Sequence, residues 1–308
     1  MRKTLKTSAE FSGIGLHGGH PVKMTVAPAA SGAGVVFVRV DAEPGQQTIP
    51  ARYDLVTDTQ LCTKLSNEYG VSVGTVEHVM AAIAGCGITD ARITLDGPEV
   101  PIMDGSSEPF VRGFARAGIV DHGDAVKAIR IIAPIVVEDV DKRAALVPSK
   151  RMEMDYAISF EDEAIGDQQL GMKLANGAFV EELSDCRTFG HLHEVEQLRS
   201  MGLAKGGGLH NAIVVDDGRV LNPEGLRRPD EFVRHKMLDA VGDLALAGAP
   251  IIGRYEGYKA GHGITNRLLR ALFANPEAWE WDTLPSDQVM GNVAIKPGTP
   301  APVAALAV

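Results

Sequence analysis

The spacing of apolar residues predicts a long helix over residues 230–248. Its apolar positions recur three and four residues apart, as on a helix with one buried face, at Phe232, Val233, Met237, Leu238, Val241, Leu244 and Ala245. His235, Asp239 and Asp243 stand four apart, so they lie on one face of this helix, one turn above another. An imidazole and a carboxylate at this spacing can hold one divalent ion, although a surface His–Asp pair has the same spacing.

Apolar and polar positions along the rest of the chain predict the same order of elements twice. In the first half, the pattern gives two strands, a helix, a strand and a helix, at 22–26, 34–40, 75–85, 91–95 and 109–117. In the second half, strands again come first, and a helix, a strand and a helix follow at 230–248, 251–255 and 265–273. We therefore predict an α+β fold of two similarly folded domains, each a small sheet packed on helices, which form a layered β-α-α-β sandwich.

Gly123 and the charged residues near it interrupt this pattern and indicate a junction between two domains. We place the first α+β domain at 1–122 and the second at 127–295, followed by an apolar, Pro/Ala-rich tail at 296–308 that we expect to be poorly ordered. The segment 186–217, which we call the insertion, is predicted as an addition to the second domain. Its apolar residues could line a groove for an apolar ligand or pack in the core, and composition alone favours packing.

Two local signals concern the first domain. Thr75 is predicted as the N-cap of the 75–85 helix, because its hydroxyl can accept a hydrogen bond from the first helical turn. The glycine-rich stretch at 13–20 lacks the Lys-Ser/Thr pair and the following helix of a phosphate-binding P-loop. It therefore predicts a tight turn, which glycine favours because it readily adopts positive φ.

Composition excludes several classes of protein. A net charge of −10 argues against a general binder of nucleic acids or anionic membranes, since both need a basic face. There is no apolar run of about 20 residues, the length of a membrane span, and no apolar stretch follows the basic start as in a signal peptide. Cys62, Cys86 and Cys186 form no CxxC pair, which argues against a disulfide framework and a cysteine zinc site and predicts a reducing, cytoplasmic location.

His78 is the second candidate ligand of a metal ion. Ala82 stands four residues after it, so Glu77-His78 is not part of an HExxH metalloprotease motif. A lone histidine in an apolar helix is usually a core residue. Together with His235 and Asp239, however, His78 completes two imidazoles and one carboxylate, a set that leaves one coordination position of a zinc ion open for water.

Other reactive residues fit around such a site. Glu77 could take the proton of the water, and His262, in a Gly-His-Gly loop, could protonate a leaving amine. Asp243 is spaced to orient a neighbouring imidazole, as carboxylates near metal sites do. Lys236 could neutralise an oxyanion or a phosphate. These residues predict a metal-dependent amide hydrolase.

Five stretches of the chain closely resemble the UDP-3-O-acyl-N-acetylglucosamine deacetylases, the zinc amidase family of lipid A synthesis in Gram-negative bacteria. They are Thr75-Val76-Glu77-His78, Pro101-Ile102-Met103-Asp104-Gly105-Ser106, Arg187-Thr188-Phe189-Gly190, Phe232 through Asp239, and Gly261-His262. They follow one another in family order, and the resemblance runs from about Thr4 to Phe273, nearly the whole chain. The resemblance therefore implies the family's fold, with zinc between the layers of a two-domain sandwich.

The same resemblance implies roles for individual residues. It makes His78, His235 and Asp239 the ligands of Zn²⁺, or of Fe²⁺ in the same site. It makes Glu77 the general base and His262, tuned by Asp243, the general acid or electrostatic stabiliser. The implied contacts to the substrate are Thr188 on the oxyanion, Phe160 on the uracil, Lys142, Lys236 and Lys259 on the nucleotide and sugar, and Val195, Leu198, Leu209 and Val214 on the 3-O-acyl chain. Phe189 is a further substrate-binding residue.

The resemblance thus implies that the insertion forms a passage for the acyl chain. This prediction replaces the one from composition, which favoured packing in the core. Cys186 stands where the family pattern suggests alanine, and the glycines at 206–208 can reshape the passage. The preferred length of the acyl chain therefore stays open.

The predicted reaction is zinc-dependent hydrolysis of the N-acetyl group of UDP-3-O-acyl-N-acetylglucosamine, a small-molecule substrate, by a monomeric enzyme. Two alternatives remain. A 2-His-1-carboxylate iron oxygenase would use the same ligand types, but it gives no reason for Glu77 or His262. A metal-stabilised binding domain is the other alternative, although structural zinc sites usually have four protein ligands.

Overall fold

The computed structural model describes residues 1–291, so the predicted tail at 296–308 lies outside the described residues. Within this range there are six α-helices: α1 Glu77–Gly85, α2 Glu108–Ala117, α3 Ala178–Glu182, α4 Leu192–Ser200, α5 Glu231–Ala245 and α6 His262–Ala274. Three short 3₁₀ turns lie at Tyr53–Leu55, Pro276–Ala278 and Ser286–Gln288. None of the helices in residues 1–291 combines the length and the apolar character that a bilayer crossing needs.

The first half of the chain contains ten strands. They are β1 Lys3–Leu5, β2 Ala9–Ile14, β3 Pro21–Pro28, β4 Val35–Arg39, β5 Thr48–Pro50, β6 Val56–Asp58, β7 Lys64–Ser66, β8 Ser72–Val73, β9 Ala91–Leu95 and β10 Ile119–Asp121. Five of them form a sheet in the order β2-β3-β9-β4-β5, antiparallel except for the parallel pair β4 and β9. In β3, Val22, Met24 and Val26 are buried and alternate with more exposed residues, so one face of this sheet is apolar.

The second half contains eleven strands. They are β11 Lys127–Ile131, β12 Ile135–Asp139, β13 Lys142–Val147, β14 Glu153–Ser159, β15 Asp167–Lys173, β16 Phe189–His191, β17 Ile213–Asp216, β18 Arg219–Val220, β19 Ile251–Ile252, β20 Arg254–Tyr258 and β21 Trp279–Thr283. Five of them form a sheet in the order β12-β13-β20-β14-β15, again antiparallel except for one parallel pair, β14 and β20. The two sheets therefore share one topology. In each half, one helix precedes the central strand along the chain and another helix follows it.

This repetition confirms the predicted α+β fold of two similarly folded halves. α1 and α5 pack against each other in the middle of the molecule, α2 packs on β2, and α6 packs on β12 and β13. The halves join between β10 and β11, in the region of the predicted junction, and the boundaries 1–122 and 127–295 stay a prediction. The insertion supplies β16, α4 and β17, and β17 pairs with β18, just after the insertion, to complete a further small sheet in the order β16-β17-β18.

Glycines allow the two central helices to approach closely. A Cβ atom on Gly242 of α5 would overlap the backbone carbonyl of Glu77 at the start of α1, and one on Gly85 would overlap the ring of Phe179 in α3. Neither overlap can be relieved by a small rotation, because a backbone and a buried ring oppose it. The position of Gly242 therefore sets how near α5 comes to the first turn of α1.

Three local predictions are wrong at the level of single residues. Thr75 is not the N-cap of α1, which begins at Glu77; Thr75 has a φ of 56° and donates its hydroxyl to Glu99. His262 is not in a loop but is the first residue of α6. The predicted strand at 251–255 is divided at Gly253, where a Cβ atom would meet Ile131, so its two parts join different sheets.

We predict that Gly242→Ala lowers the free energy of unfolding by about 3 kcal/mol, because the added methyl group pushes α5 away from the Glu77 carbonyl. Helix propensity alone would have the opposite sign and stabilise the helix by about 1 kcal/mol. The measurement is the denaturant midpoint and slope. The matched control is Gly261→Ala, at a position with extended backbone and no atom within 4 Å of the new methyl group, where we expect a change below about 1 kcal/mol. Equal effects of the two changes would contradict the close-approach argument.

Candidate functional site

The first turn of α1 and the middle of α5 bring three candidate ligands together. The Nε2 atoms of His78 and His235 each lie 3.4 Å from Oδ1 of Asp239. One ligand atom from each residue can be chosen so that all three lie within 4.8 Å of one another, and all three side chains are buried. The two helices thus supply a nitrogen–nitrogen–oxygen set from opposite halves of the chain.

His235 is held so that its Nε2 carries a lone pair toward this set. Its Nδ1 lies 3.0 Å from the backbone carbonyl of Cys186, and a carbonyl can only accept, so Nδ1 is the donor. Burial lowers the pKa of His235 to about 3, which keeps the ring neutral. A neutral imidazole fixed through its other nitrogen is the usual form of a histidine metal ligand.

Asp239 points one bare oxygen at the two imidazoles. Its Oδ2 accepts a hydrogen bond from Nζ of Lys236 at 2.8 Å, whereas its buried Oδ1 has no hydrogen-bond partner among the described residues. Burial opposes the ionisation of Asp239, but the neighbouring imidazole of His235 and the ammonium of Lys236 outweigh it and hold the pKa of Asp239 well below its usual range. A buried, charged oxygen without a donor is costly, and a cation between it and the two nitrogens removes that cost. The residues therefore fit a divalent metal ion.

Within residues 1–291, no fourth His, Cys, Asp or Glu joins this cluster. Three protein ligands leave a coordination position for water or substrate, as in catalytic metal sites. The cluster that the sequence predicts is thus open on one side.

A pair of ionisable groups lies beside the cluster. Nε2 of His262 is 3.9 Å from Oε1 of Glu77, and Nδ1 of His262 donates to Oδ2 of Asp243 at 2.8 Å. Burial raises the pKa of Glu77, so its carboxylate is a stronger base than one in water. Burial disfavours the cation of His262, but the carboxylates of Asp243 and then Glu77 outweigh it and raise the pKa of His262 to about 9. The pair therefore consists of a carboxyl group and an imidazole whose pKa values both lie above their usual ranges.

Sequence reasoning missed Thr63, which touches both carboxylates. Its backbone N–H donates to Oε2 of Glu77 at 3.0 Å and its hydroxyl donates to Oδ1 of Asp243 at 2.5 Å. Along the chain, Thr63 is 14 residues from Glu77 and 180 residues from Asp243. It is part of no recognisable motif, so the sequence carries no signal for it.

A buried ion pair supports the carbonyl that holds His235. The Arg187 guanidinium bonds to the carboxylate of Glu231 at 3.0 Å, and the same carboxylate accepts the backbone N–H of Arg187. Both residues are buried, and Arg187 follows Cys186 directly. Glu231 was missed as well, although its position four residues before His235 puts it on the same face of α5 and could have revealed it.

The aromatic residues predicted at the nucleotide form one cluster next to His235. The ring of Phe189 lies 5.7 Å from Phe160 and 6.2 Å from His235 between centroids, and Nζ of Lys236 lies 5.6 Å from its centre. Phe160, Phe189 and Lys236 therefore lie on the His235 side of the metal cluster. They offer aromatic faces and a cation, a combination suited to a nucleobase and a phosphate.

The other predicted contacts lie further out. Lys142 opens β13 and is exposed, while Nζ of Lys259 donates to Asp141 at 3.0 Å, so these residues share the hairpin end of the second sheet. Thr188 is held by its backbone, whose N–H donates to the carbonyl of Gly105. No described contact joins these three side chains to the metal cluster.

The insertion residues predicted for the acyl chain sit on and beneath α4. Val195 and Leu198 are half-buried, Leu209 is 40 % exposed, and Val214 is buried. The insertion reaches the glycine-rich turn of the first half, where the N–H of Gly206 donates to the carbonyl of Leu16. It therefore spans both halves of the molecule, beside the aromatic cluster.

Comparison with known proteins agrees with this geometry. The model of the family described as UDP-3-O-acyl N-acetylglycosamine deacetylase matches residues 2–274. Curated proteins named UDP-3-O-acyl-N-acetylglucosamine deacetylase are similar to the chain over most of their length. That of Phenylobacterium zucineum is 51% identical over 93% of this chain and 98% of its own. That of Pasteurella multocida is 49% identical over 94% and 95%, and that of Idiomarina loihiensis 48% over 95% and 96%.

We predict that Asp239→Asn removes most of the stabilisation that zinc gives. At a free zinc concentration about 1,000 times the dissociation constant, binding to the native state adds about 4 kcal/mol to the free energy of unfolding. Without zinc, Asp239→Asn should be at least as stable as the unchanged protein, because the amide N–H₂ can donate to a facing imidazole while its oxygen keeps Lys236. The measurement is unfolding with zinc and with a chelator.

The matched control is Asp282→Asn, on β21, where the carboxylate pairs with Arg130 away from the cluster. Its zinc increment should equal that of the unchanged protein. An unchanged zinc increment in Asp239→Asn would contradict the ligand assignment.

Proposed function

The chain belongs to the UDP-3-O-acyl N-acetylglycosamine deacetylase family, and we infer from this membership and from its site that it hydrolyses UDP-3-O-acyl-N-acetylglucosamine. The products are UDP-3-O-acyl-glucosamine and acetate, in lipid A biosynthesis. The observation that carries this conclusion is the unpartnered Oδ1 of Asp239, which faces two imidazoles next to the Glu77–His262 pair.

The protein is a metalloenzyme of the hydrolase class, and we propose zinc as its metal, held by His78, His235 and Asp239. A divalent cation there supplies Lewis-acid polarisation of the amide carbonyl and acidifies a water molecule. Two nitrogens and one carboxylate oxygen form a donor set that suits zinc, and Fe²⁺ fits the same donors less selectively.

Glu77 is proposed as the general base. Its Oε2 is occupied by the N–H of Thr63, so Oε1 is the oxygen that is free to take a proton from the attacking water. The raised pKa of Glu77 supports this role, because a base works best when its pKa approaches the working pH. As the water oxygen bonds to the amide carbon, its proton moves to Glu77.

His262 is proposed as the general acid. An amide cannot expel an unprotonated amine, so a proton must reach the glucosamine nitrogen as the C–N bond breaks. Nδ1 of His262 is bound to Asp243, which leaves its Nε2–H, on the side of Glu77, to deliver that proton. Asp243 keeps the ring charged and oriented until then.

The remaining residues are proposed to hold the substrate. Thr188 contacts the developing oxyanion, and Lys236 neutralises an oxyanion or a phosphate from its place over Phe189. Phe160 stacks on the uracil, and Lys142 and Lys259 bind the nucleotide and sugar. Four apolar residues of the insertion, Val195, Leu198, Leu209 and Val214, line the passage of the acyl chain.

The alternatives are less well supported. An iron oxygenase has no use for a base and a protonated histidine 3.9 Å apart, and a structural metal site would be closed by a fourth ligand. Family membership disfavours both. We retain the predictions of a cytoplasmic location and a monomeric state, the first of which is supported by three free cysteines.

We predict that the purified protein releases acetate from UDP-3-O-acyl-N-acetylglucosamine, that a chelator stops the release, and that zinc restores it. Glu77→Gln should keep the metal but lower kcat by about 10²–10⁴-fold, because its amide cannot accept the proton of the water. The measurements are acetate release and bound zinc per chain.

The matched control is Glu108→Gln on the surface of α2, where the carboxylate pairs with Arg112 and kcat should not change. Loss of zinc from Glu77→Gln would contradict the assignment of Glu77 as base. Oxygen consumption that depends on the metal would favour the oxygenase instead.

We predict an alkaline limit of kcat above the ordinary histidine pKa, since Asp243 and Glu77 raise the pKa of His262 to about 9 and the acid works only while protonated. Asp243→Asn removes a carboxylate within hydrogen-bond distance, so the limit should move down by about 1–3 pH units. The measurement is the dependence of kcat on pH for both proteins. An unchanged alkaline limit in Asp243→Asn would show that another group sets it.

A further inference from the structure

Thr63 is hydrogen-bonded both to the proposed base, Glu77, and to Asp243, which binds the proposed acid, His262. It lies immediately before β7 in the first half of the chain and is 2% exposed. Its backbone N–H binds one oxygen of Glu77, and its hydroxyl binds one oxygen of Asp243, 180 residues further along. Both carboxylates are therefore hydrogen-bonded to the same small, buried residue, Glu77 through its backbone and Asp243 through its side chain.

In each carboxylate, Thr63 binds one oxygen, and the other oxygen is directed toward His262. In Glu77, Oε2 is held by Thr63, and Oε1 faces His262. In Asp243, Oδ1 is held by Thr63, and Oδ2 accepts the Nδ1–H of His262 at 2.8 Å. A carboxylate bound at both oxygens cannot rotate freely, so the ring of His262 is fixed relative to Glu77.

We propose that Thr63 is a positioning residue for the deacetylation, which rests on the proposed function. Its hydroxyl holds Asp243, and through Asp243 the imidazole of His262, at the distance from Glu77 at which one group can take a proton and the other can give one. Thr63 itself touches no reacting atom in this account.

The physical chemistry of the site favours a hydroxyl on a stiff side chain. A hydrogen bond to a charged acceptor is stronger and shorter than one between neutral groups. Threonine is branched at Cβ, so few rotamers compete with the one that reaches Asp243. The burial of Thr63 also keeps bulk water from replacing its hydroxyl as a donor.

The orientation matters because negative groups crowd this region. Glu77, Asp239 and Asp243 all act on His262, and their carboxylates repel one another. Without the donor on Thr63, Oδ1 of Asp243 would be a buried oxygen without a hydrogen-bond donor, and the carboxylate could turn to find another donor. That movement would break the geometry of the Asp243–His262 bond.

The test compares Thr63→Val, which has the same shape but no donor, with Thr63→Ser, which keeps the donor. Both keep the backbone N–H to Glu77. We expect Thr63→Val to lower kcat by about 10- to 100-fold with KM and bound zinc unchanged, and Thr63→Ser to stay within about 3-fold of the unchanged protein. Acetate release and zinc content are measured, and Thr63→Ala takes the place of valine if that variant does not fold.

A second arm asks whether Thr63 acts through Asp243. In an Asp243→Ala background the hydroxyl has no carboxylate to hold, so adding Thr63→Val should change kcat by less than about 2-fold. The control for burial is Thr4→Val, since Thr4 is also buried and donates its hydroxyl to the carbonyl of Asp90, away from the site. It should change the unfolding midpoint but not kcat.

The outcomes are distinct. Activity of Thr63→Val equal to that of the unchanged protein, equal damage by serine and valine, or multiplicative losses in the Asp243→Ala background would each overturn the positioning role while leaving the deacetylase intact. Absence of acetate release by the unchanged, zinc-loaded protein would instead overturn the proposed function, and this inference with it.

Discussion

The close approach of α1 and α5 is the constraint on which the site depends. The two helices come from opposite halves of the chain, and Gly242 lets α5 lie against the backbone of Glu77. This contact puts the first turn of α1, with Glu77 and His78, beside the turns of α5 that carry His235 and Asp239. A separation larger by the width of a methyl group would spread ligand atoms that now lie within 4.8 Å. The second sheet contacts α5 through β14 and β15, and α2, which packs on β2 of the first sheet, contacts α1.

The buried polar side chains on one face of α5 need hydrogen-bond partners, and they have them with one exception. Along one face of α5, Glu231 binds Arg187, His235 binds the carbonyl of Cys186, and Asp243 binds Thr63 and His262. Asp239 shares this face and is bound at one oxygen only. Because an unpaired buried charge is costly, the exception marks the place where a cation belongs. The pattern of satisfied neighbours thus supports the proposed position of the metal ion more specifically than the residue types do.

The sequence predicts the parts of the site that follow a helical period. It does not predict features that depend on backbone conformation or on contacts with distant residues. The four-residue spacing of His235, Asp239 and Asp243 is visible because α5 is regular over fifteen residues. Thr75 looks like a helix cap, but Glu99 takes its hydroxyl and its φ of 56° ends the strand-like backbone before α1. Gly253 divides a predicted strand for reasons of packing against Ile131, which no local pattern shows. Thr63 could not be found, since its role depends on contacts with residues 14 and 180 positions away.

Because His262 lies at the start of α6, its protonated form depends on neighbouring carboxylates. The N-terminus of a helix carries a partial positive charge, which disfavours a cation there. Burial disfavours the cation as well, so a histidine in this position alone would be neutral at pH 7 and could not donate a proton from Nε2 while Nδ1 donates to a carboxylate. Asp243 and Glu77 reverse this preference. The carboxylates that raise the pKa of the proposed acid therefore come from α5 and α1, not from the helix that carries His262. A change that shifts either helix should impair proton delivery before it disturbs the fold.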